Sequence, residues 1–197
     1  TLREPYEAID EIDKKNCRVV YQGVPGAYSY IAMRRFFGKD VNNFAVPTWR
    51  DAMEAVKNGE ADYAVLPIEN TTAGCVADVY DLIQEYDNYI IAETFVKVEH
   101  ALLGLEGTDI DKVTTVYCHP QGFMQCEKFL SKHKDWQQIS QANKAGSAKQ
   151  VLEENDKTHV AIASEEAAEV YNLSVLAKKI NYLDNNTTRL VIVTNTI

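Results

Sequence analysis

Short apolar segments alternate with segments of helical spacing through the first half of the chain. CRVVYQ at residues 17–22 has the length and the β-branched content of a buried strand. GAYSYIAMRRFFG at 26–38 has apolar positions at helical spacing between two glycines and predicts a helix. NFAVP at 43–47 then predicts a second, short strand.

A second helix and a third strand extend this pattern. The helix begins after Thr48, which has Asp51 at the third position of a capping-box variant, and it ends at Gly59. YAVLPI at 63–68 predicts the third strand, and helical spacing returns in residues 76–86. Because strands that are joined by helices usually pair in parallel, we expect parallel strands with helices on both faces of the sheet.

The same order of elements recurs in the second half of the chain. VYQ at 20–22 has a counterpart in VYC at 116–118, although sequence identity between the halves is low. The second copy of the strand–helix order runs through residues 115–133, 136–140, 145–155 and 159–167. The repeat predicts an α/β fold made of two similar α/β lobes with a cleft between them.

The chain is expected to cross twice between these lobes. Residues 89–104 lead from the first lobe to the second, and residues 176–193 return and add a strand to the first lobe. The predicted division is a linker at 1–16, a first lobe at 17–98 with 183–197, and a second lobe at 99–182. Two crossings predict a hinged molecule that holds its ligand between the strand ends of both lobes.

Composition and charge narrow the class of ligand. The 197 residues are 46% apolar and 25% charged, which is typical of a globular protein with an ordinary core. No segment approaches the roughly 18 consecutive apolar residues of a membrane span, so we expect no membrane partner. The formal charge of −9 argues against nucleic acid, because a basic surface supplies most of that affinity. An anionic ligand would therefore need a few donors placed locally in a pocket.

The N-terminus and the cysteines indicate a cytoplasmic protein. TLREPYEAIDEIDKK is acidic and amphipathic and has no apolar signal core. The four cysteines lie far apart and mostly within apolar patterns, so we expect reduced thiols rather than disulfides: Cys17, Cys75, Cys118 and Cys126. Without a secretory route, the Asn-Thr-Thr sequences at 70–72 and 186–188 are not expected to be glycosylated.

Four polar clusters stand where predicted strands end, and such loops face the cleft of an α/β fold. They lie at residues 23–29, 69–74, 118–125 and 186–189. The first cluster resembles an anion site at a helix N-terminus but lacks the glycine spacing of a dinucleotide fingerprint. Cys118, His119 and Cys126 have no second pair of ligands nearby in the sequence, so we expect no metal and no cofactor.

Each cluster also has a plainer interpretation. Gly23 and Gly26 are compatible with a tight turn, and Asn70 is compatible with a helix cap. His119 before a proline is typical of an exposed helix start, and Arg189 is compatible with a surface ion pair. Convergence favours a site, because independent caps have no reason to fall at the cleft ends of both halves.

Four segments in order resemble the catalytic domain of prephenate dehydratase. They are LPIENTTAG at 66–74, VADVYDLIQ at 76–84, CHPQGFMQC at 118–126 and NNTTRLVIV at 185–193. The resemblance covers roughly residues 17–195, and the PIEN-x-x-x-G and N-x-T-R blocks together are highly specific. It implies the two-lobed fold predicted above, similar to that of type II periplasmic binding proteins.

The resemblance implies a carbon–oxygen lyase that converts prephenate to phenylpyruvate with loss of carbon dioxide and water, in phenylalanine biosynthesis. Hydroxide is a poor leaving group, so the reaction needs a hydrogen-bond donor at the departing oxygen. Binding requires recognition of two carboxylates without a cofactor. Neutral donors on rigid strand ends suit this task, because they stabilise charge without holding the departing carboxylate in a strong ion pair.

The resemblance also implies roles for individual residues. Thr188 matches the essential threonine and is expected to donate to the leaving hydroxyl, while Arg189 anchors a carboxylate or supports Thr188. Asn70 is expected to bind substrate, and Glu69 to hold a lobe-linking network or to take part in proton transfer. Gln125 completes the catalytic set from the other lobe. The remaining predicted substrate-binding residues are Tyr28, Ser29, Thr71, Thr72, Gly74, Cys118, His119 and Gln121.

Three positions depart from the family pattern. Cys118 stands where serine is usual, so a hydroxyl bond is replaced by that of a weak thiol donor. Leu190 replaces the phenylalanine of the T-R-F block, and Thr71 replaces the commoner serine. We expect activity to survive all three.

The family context leaves partners and alternatives open. Nothing after Thr194 resembles a regulatory ACT domain, and LREPYEAIDEIDKKN resembles the tail of a fused chorismate mutase domain. We therefore expect a catalytic core that is insensitive to phenylalanine, from a longer protein that carries an ACT domain, and we expect a homodimer. Two other functions stay open: arogenate dehydratase, and a non-catalytic module that binds a small carboxylate.

Overall fold

The computed structural model describes residue 14 and residues 16–71, 74–97, 99–141, 146–182 and 186–196. The strands are β1 (Arg18–Gln22), β2 (Asn42–Val46), β3 (Tyr63–Asn70), β4 (Gly74–Cys75), β5 (Tyr89–Lys97), β6 (Ala101–Gly104), β7 (Thr115–Cys118), β8 (Gln137–Ser140), β9 (His159–Ala163), β10 (Ser174–Ala177) and β11 (Thr187–Thr194). The α-helices are α1 (Tyr28–Phe37), α2 (Trp49–Lys57), α3 (Ala77–Glu85), α4 (Pro120–Gln125), α5 (Glu127–Leu130), α6 (Gly146–Glu154) and α7 (Glu165–Val170). A single 3-10 turn, Ile110–Lys112, stands before β7 in this part of the chain.

The strands form two sheets with the same internal order. The first sheet runs β2-β1-β3-β11-β5, with β4 paired to β3, and the second runs β8-β7-β9-β6-β10. We call the first sheet with α1, α2 and α3 the first lobe, and the second sheet with α4 to α7 the second lobe. The predicted α/β fold of two similar lobes is confirmed.

Strand direction follows the path of the chain. β1 is parallel to β2 and β3, and β7 is parallel to β8 and β9, as the strand–helix–strand order predicts. β11 is antiparallel to β3 and β5, and β6 is antiparallel to β9 and β10. These antiparallel strands adjoin the two crossings between sheets, and the described residues of those crossings include no helix.

Alternating side chains place a core on each face of the first sheet. Tyr21 and Val65 pack with Met33 of α1 in one buried cluster. Leu66 packs with Met53 of α2 on the opposite face, where α3 also contributes. This period of two requires helices on both sides, because each strand buries apolar side chains in both directions.

Strand β3 is longer than its apolar pattern predicts. The sequence favours an end at Ile68, but the strand continues through Glu69 and Asn70. Asn70 is paired with Thr188 of β11 and Glu69 with Arg189. Pairing with β11, which is distant in sequence, keeps these two polar residues in extended backbone. They are therefore part of the sheet and not of a loop.

The lobes contact each other through α1 and α7. Arg34 forms an ion pair with Glu169 at 3.2 Å across this contact. The Ser164 hydroxyl donates to the carbonyl oxygen of Gly26 at 3.0 Å. Gly26 has φ +93°, and a Cβ placed on it would lie 3.1 Å from Cβ of Ala167. A glycine at this position therefore permits the close approach of the two lobes.

Candidate active site

A cavity of about 530 Å³ lies between the two lobes. The wall on the side of the first lobe is formed by Val24, Gly26, Ala27, Tyr28, Asn70 and Asn186. The opposite wall is formed by His100, Cys118, His119, Gln121, Gly122, Gln125, Gln141, Gly146, Ser147, Ile162, Ala163 and Ser164. The volume is within the range of small-molecule sites, and the mainly apolar lining carries a few neutral polar groups on both walls.

The two Asn-Thr-Thr segments meet at one end of this cavity. The Asn70 amide nitrogen donates to the Thr188 hydroxyl oxygen at 2.9 Å. The Thr71 hydroxyl donates to the Asn186 side-chain oxygen at 3.3 Å and accepts from the backbone N–H of Thr187 at 3.0 Å. The antiparallel register of β3 and β11 produces this arrangement, since it sets the triplets side by side.

Thr188 lies one hydrogen bond behind the cavity wall. Its residue surface is only 6% exposed, and Asn70 is the neighbour that lines the cavity. Because the Thr188 oxygen accepts the bond from Asn70, its hydroxyl hydrogen remains available as a donor. The pair thus offers a neutral donor that is held in place by an amide.

Arg189 and Glu69 lie on the other side of the same strands. The Arg189 guanidinium contacts the carboxylates of Glu69 at 3.2 Å and Glu93 at 3.5 Å. Neither Arg189 nor Glu69 is among the described residues that line the cavity. Successive residues of a strand face opposite sides, so Thr188 and Arg189 cannot both point at one ligand. The geometry makes Arg189 a cross-strand partner that fastens β3 to β11 and β5.

The first lobe also presents the start of helix α1 to the cavity. Ala27 caps this ten-residue helix without a side-chain hydrogen bond, and both Ala27 and Tyr28 line the cavity. The unsatisfied N–H groups and the dipole at a helix N-terminus favour negative charge. Burial raises the pKa of the Tyr28 phenol, so Tyr28 stays a neutral donor. In the described part of the lining, no lysine, arginine, aspartate or glutamate is present.

Helix α4 forms much of the opposite wall. The His119 ring nitrogen accepts from the backbone N–H of Gln121 at 3.2 Å, and Pro120 occupies the first helical position. His119 therefore caps the helix, as its plainer interpretation predicts, and also lines the cavity. Gln121 and Gln125 line the cavity from the same helix.

Cys118 is a buried and neutral thiol. It is 2% exposed, and burial together with the nearby Cys126 raises the pKa of the Cys118 thiol to about 12. A Cβ on Gly122 would lie 2.2 Å from the Cys118 sulfur, so the sulfur fills the space that glycine leaves. Within the described ranges, no group of three or more histidine, cysteine, aspartate or glutamate side chains is placed to hold a metal ion.

Three other predicted binding residues are not among the described residues that line the cavity. Ser29 is buried in α1, and Thr71 is held beside Asn186. Gly74 lies exposed in β4, and Thr72 is outside the described residues.

His100 is a cavity residue that the sequence reasoning missed. Its ring nitrogen Nε2 contacts the side-chain oxygen of Gln125 at 2.5 Å. Burial lowers the pKa of the His100 imidazole, although the bond to Gln125 opposes that shift. Its position in the predicted crossing between lobes was a usable signal, because both crossings border the cleft. Gln141 and Ser147 follow strand β8, where the rule of polar strand ends would have found them.

Comparisons with known proteins give the family that the sequence segments resemble. The family model described as prephenate dehydratase matches residues 19–196. A bifunctional chorismate mutase/prephenate dehydratase from Escherichia coli (strain K12) is 34% identical over 188 residues, which are 93% of this chain and 48% of that protein. Arogenate dehydratase/prephenate dehydratase 2, chloroplastic, from Arabidopsis thaliana is 40% identical over 174 residues, 87% of this chain and 45% of that protein.

Solved structures show the same fold. A quorum-quenching acylase, GqqA, superposes with a TM-score of 0.82 at 32% identity, covering 91% of this chain and 64% of that chain. Prephenate dehydratase from Arthrobacter aurescens, in complex with L-Phe, gives a TM-score of 0.79 at 25% identity, covering 91% and 61%.

The curated relatives are longer proteins, and this chain spans about half of their length. Apart from Arg18 of β1, the family match nevertheless covers both sheets, and it includes every described residue of the cavity wall. The chain belongs to the prephenate dehydratase family.

Proposed function

We propose that this chain catalyses the decarboxylative dehydration of prephenate to phenylpyruvate. The observation that carries the proposal is the hydrogen-bonded pair of Asn70 and Thr188 at the wall of the cavity between the lobes. The pair joins the two sequence blocks that are most specific to the family, and it supplies a neutral donor beside a space of suitable size.

The reaction needs one proton and a path for two electron pairs. The bond from the ring to the carboxylate breaks, its electrons enter the ring, and carbon dioxide leaves. The bond from the ring to the hydroxyl breaks in turn, and the oxygen leaves as water after it gains a proton. Thr188 would donate a hydrogen bond to this oxygen, while the proton that makes it water comes from hydronium in the solvent, because a threonine hydroxyl is too weak an acid to give up its own proton.

The cavity suits a small dianion without a cation in its described lining. The first turn of α1 and the Tyr28 hydroxyl offer donors on one side. Gln121 and Gln125 offer amide donors on the other side. Neutral donors hold a carboxylate less firmly than an arginine fork does, which leaves the departing carboxylate free to lose its charge.

Arogenate is the first alternative substrate. The relative from Arabidopsis thaliana carries both names, arogenate dehydratase and prephenate dehydratase. The two substrates differ by an amino group in place of a keto oxygen, at a distance from the leaving hydroxyl. The donors described above serve either one.

Acyl hydrolysis is a second candidate, and the similarity to GqqA favours it. An acylase needs an activated nucleophile or an activated water. Cys118 is a poor nucleophile at neutral pH, because burial raises the pKa of its thiol to about 12. The Asn70–Thr188 pair suits a leaving hydroxyl better than an acyl transfer, since it includes no general base.

One assay distinguishes the three candidate activities. The purified chain is incubated in parallel with prephenate, with arogenate and with an N-acyl amide, and the products are identified by absorbance and mass spectrometry. We expect phenylpyruvate from prephenate. A passive carboxylate-binding module would bind prephenate without turnover, and that result would overturn the proposal.

The wider setting is part of the same proposal. The activity would place the protein in phenylalanine biosynthesis as a carbon–oxygen lyase, in the cytoplasm and as a homodimer. The bifunctional relatives support a chorismate mutase portion in the longer protein, and an ACT domain is proposed on the family resemblance. Over the described residues, no helix has the length and apolar content that a membrane crossing requires.

A further inference from the structure

His100 stands where the two crossings between the lobes meet. It lies between β5 of the first sheet and β6 of the second. Its backbone N–H donates to the Asn181 side-chain oxygen at 2.9 Å, and its carbonyl oxygen accepts from the N–H of Ile180 at 3.0 Å. Asn181 and Ile180 belong to the returning segment, so the backbone of His100 already joins both crossings.

The imidazole of His100 makes a separate contact, with Gln125 in the cavity wall. Nε2 meets the Gln125 side-chain oxygen at 2.5 Å, and both residues line the cavity. The backbone oxygen of Gln125 accepts from the N–H of Tyr182 at 2.7 Å. Gln125 is therefore held at its backbone by one crossing and at its side chain by the other.

We propose that His100 is a positioning residue that fixes the amide of Gln125, so that its NH₂ group and not its oxygen faces the substrate. An amide oxygen only accepts, so a ring N–H at Nε2 must supply the hydrogen in this contact. With the oxygen occupied, the two N–H donors of Gln125 remain for the ligand. This inference rests on the proposed function, because an anionic substrate is what makes the orientation matter.

Reversal of the amide would present an acceptor to a carboxylate or to the leaving oxygen. Such a reversal would replace an attractive hydrogen bond from the Gln125 NH₂ group with repulsion between the Gln125 oxygen and the negatively charged substrate, although the shape of the wall would stay the same. The neutral imidazole suits this task, since its Nε2–H tautomer donates to Gln125 and adds no charge. A buried imidazole with a lowered pKa keeps this form at neutral pH.

A double-mutant cycle tests the inference. The variants are His100→Leu, Gln125→Leu, the double variant, and His100→Gln, which restores an N–H donor. His100→Leu should lower kcat/KM by about 100-fold, the order expected when a binding group is misplaced. The double variant should be no worse than Gln125→Leu, because His100 acts through Gln125. His100→Gln should recover most of the loss.

The cycle has clear contrary outcomes. If the losses of the two single variants multiply in the double variant, His100 acts independently and the inference is wrong. A lowered thermal midpoint that accounts for the loss in His100→Leu, with no rescue by His100→Gln, would show a structural role instead. A wild-type chain that turns over none of the substrates would overturn the proposed function rather than this placement.

The placement itself is tested without activity. Nitrogen-15 NMR of the histidine rings reports which ring nitrogen of His100 carries hydrogen. We expect the Nε2–H tautomer in the wild type and a changed signal in Gln125→Leu. An Nδ1–H tautomer in the wild type would overturn the inference, whatever the assays give.

Discussion

The two lobes share one strand order but contribute different kinds of structure to the cavity. In the first lobe, β3 and β11 are each eight residues long, and their ends carry Asn70 and Thr188. Their counterparts in the second lobe, β9 and β6, have only five and four residues, and the polar cavity residues beside them, Ser164 and His100, lie just outside the strands. The second lobe presents mainly the starts of helices and the turns before them, which the first lobe does only at α1.

This difference separates two tasks. A pair of strands bonded along its length holds a donor within a few tenths of an ångström, which a reacting group requires. Helix starts and turns offer many N–H and amide donors, which binding requires. The comparison therefore predicts that changes in the first lobe affect turnover most, and that changes in the second lobe affect binding and stability.

The largest effect is expected for Thr188→Val. Valine keeps the β-branched shape that suits a buried strand, so the variant removes the hydroxyl and little else. We expect kcat to fall by ~100- to 1,000-fold, the loss typical of one preorganised donor. Formation of phenylpyruvate followed by absorbance measures the loss, and circular dichroism confirms the fold.

Thr94→Val is the matched control. Thr94 lies in β5 opposite Leu190 of β11, and it is not among the described cavity residues. Its turnover should equal that of the wild type. Equal rates for Thr188→Val and the wild type would contradict the division of tasks between the lobes, because the pair of β3 and β11 would then supply no reacting group.

Asn70→Asp is expected to have the next largest effect. The change replaces the NH₂ donor to Thr188 with a carboxylate that accepts the Thr188 hydrogen. It also adds a negative charge to a wall that would face a dianion. We expect about 100-fold lower kcat/KM, with a clear rise in KM. Steady-state kinetics separate the two parameters, and a variant with unchanged KM would argue against a bound dianion at Asn70.

Gly122→Ala tests the second lobe through stability. Alanine normally stabilises a helix relative to glycine by up to about 1 kcal/mol. Here the new Cβ would lie 2.2 Å from the Cys118 sulfur, far inside contact distance. Overpacking of this kind costs about 1–3 kcal/mol, so we expect a net loss of unfolding free energy in urea.

A second substitution sharpens this result. Replacing Cys118 with alanine removes the sulfur that the new methyl group meets, so Cys118→Ala should rescue part of the stability lost in Gly122→Ala. Additive losses in the double variant would show that the clash is not the cause.

Much of the fold was predictable because it depends on local patterns. The predicted strand at 17–22 is observed at Arg18–Gln22, and the predicted helix at 26–38 is observed at Tyr28–Phe37. Thr48 caps α2 by accepting from the N–H of Asp51, as its spacing indicates. Apolar periodicity and caps fix these elements without reference to the rest of the chain.

Other features depend on partners that are distant in sequence. The extension of β3 through Asn70 depends on pairing with β11. The contact of His100 with Gln125 depends on how the crossing that includes His100 lies against helix α4. Arg189 illustrates a different limit. The sequence reasoning assigned it to the site beside Thr188, although a strand that includes both residues must point them to opposite faces. The sequence identified the N-x-T-R block, but it did not show which side chains of the block face the cavity.

The smallest effect is expected at one of the ion pairs between α1 and α7, which also include Arg35 with Glu166 at 2.9 Å. Arg34 and Glu169 meet at 3.2 Å, with side-chain exposures of 14% and 57%. Because the Glu169 carboxylate is open to solvent, the pair contributes little and is screened by salt. Arg34→Gln should lower the thermal midpoint only slightly in low salt, and the difference from the wild type should vanish at high salt.

Arg50→Gln supplies the control for this last prediction, because Arg50 pairs with Glu85 at 3.0 Å within the first lobe. The two variants should lose similar, small amounts of stability, and both should keep the wild-type KM. The close contact of Gly26 with Ala167 and the bond from Ser164 remain in Arg34→Gln, and packing of this kind is insensitive to salt. If KM rises in Arg34→Gln but not in Arg50→Gln, and the rise persists at every salt concentration, then charge rather than packing holds the two walls of the cavity together.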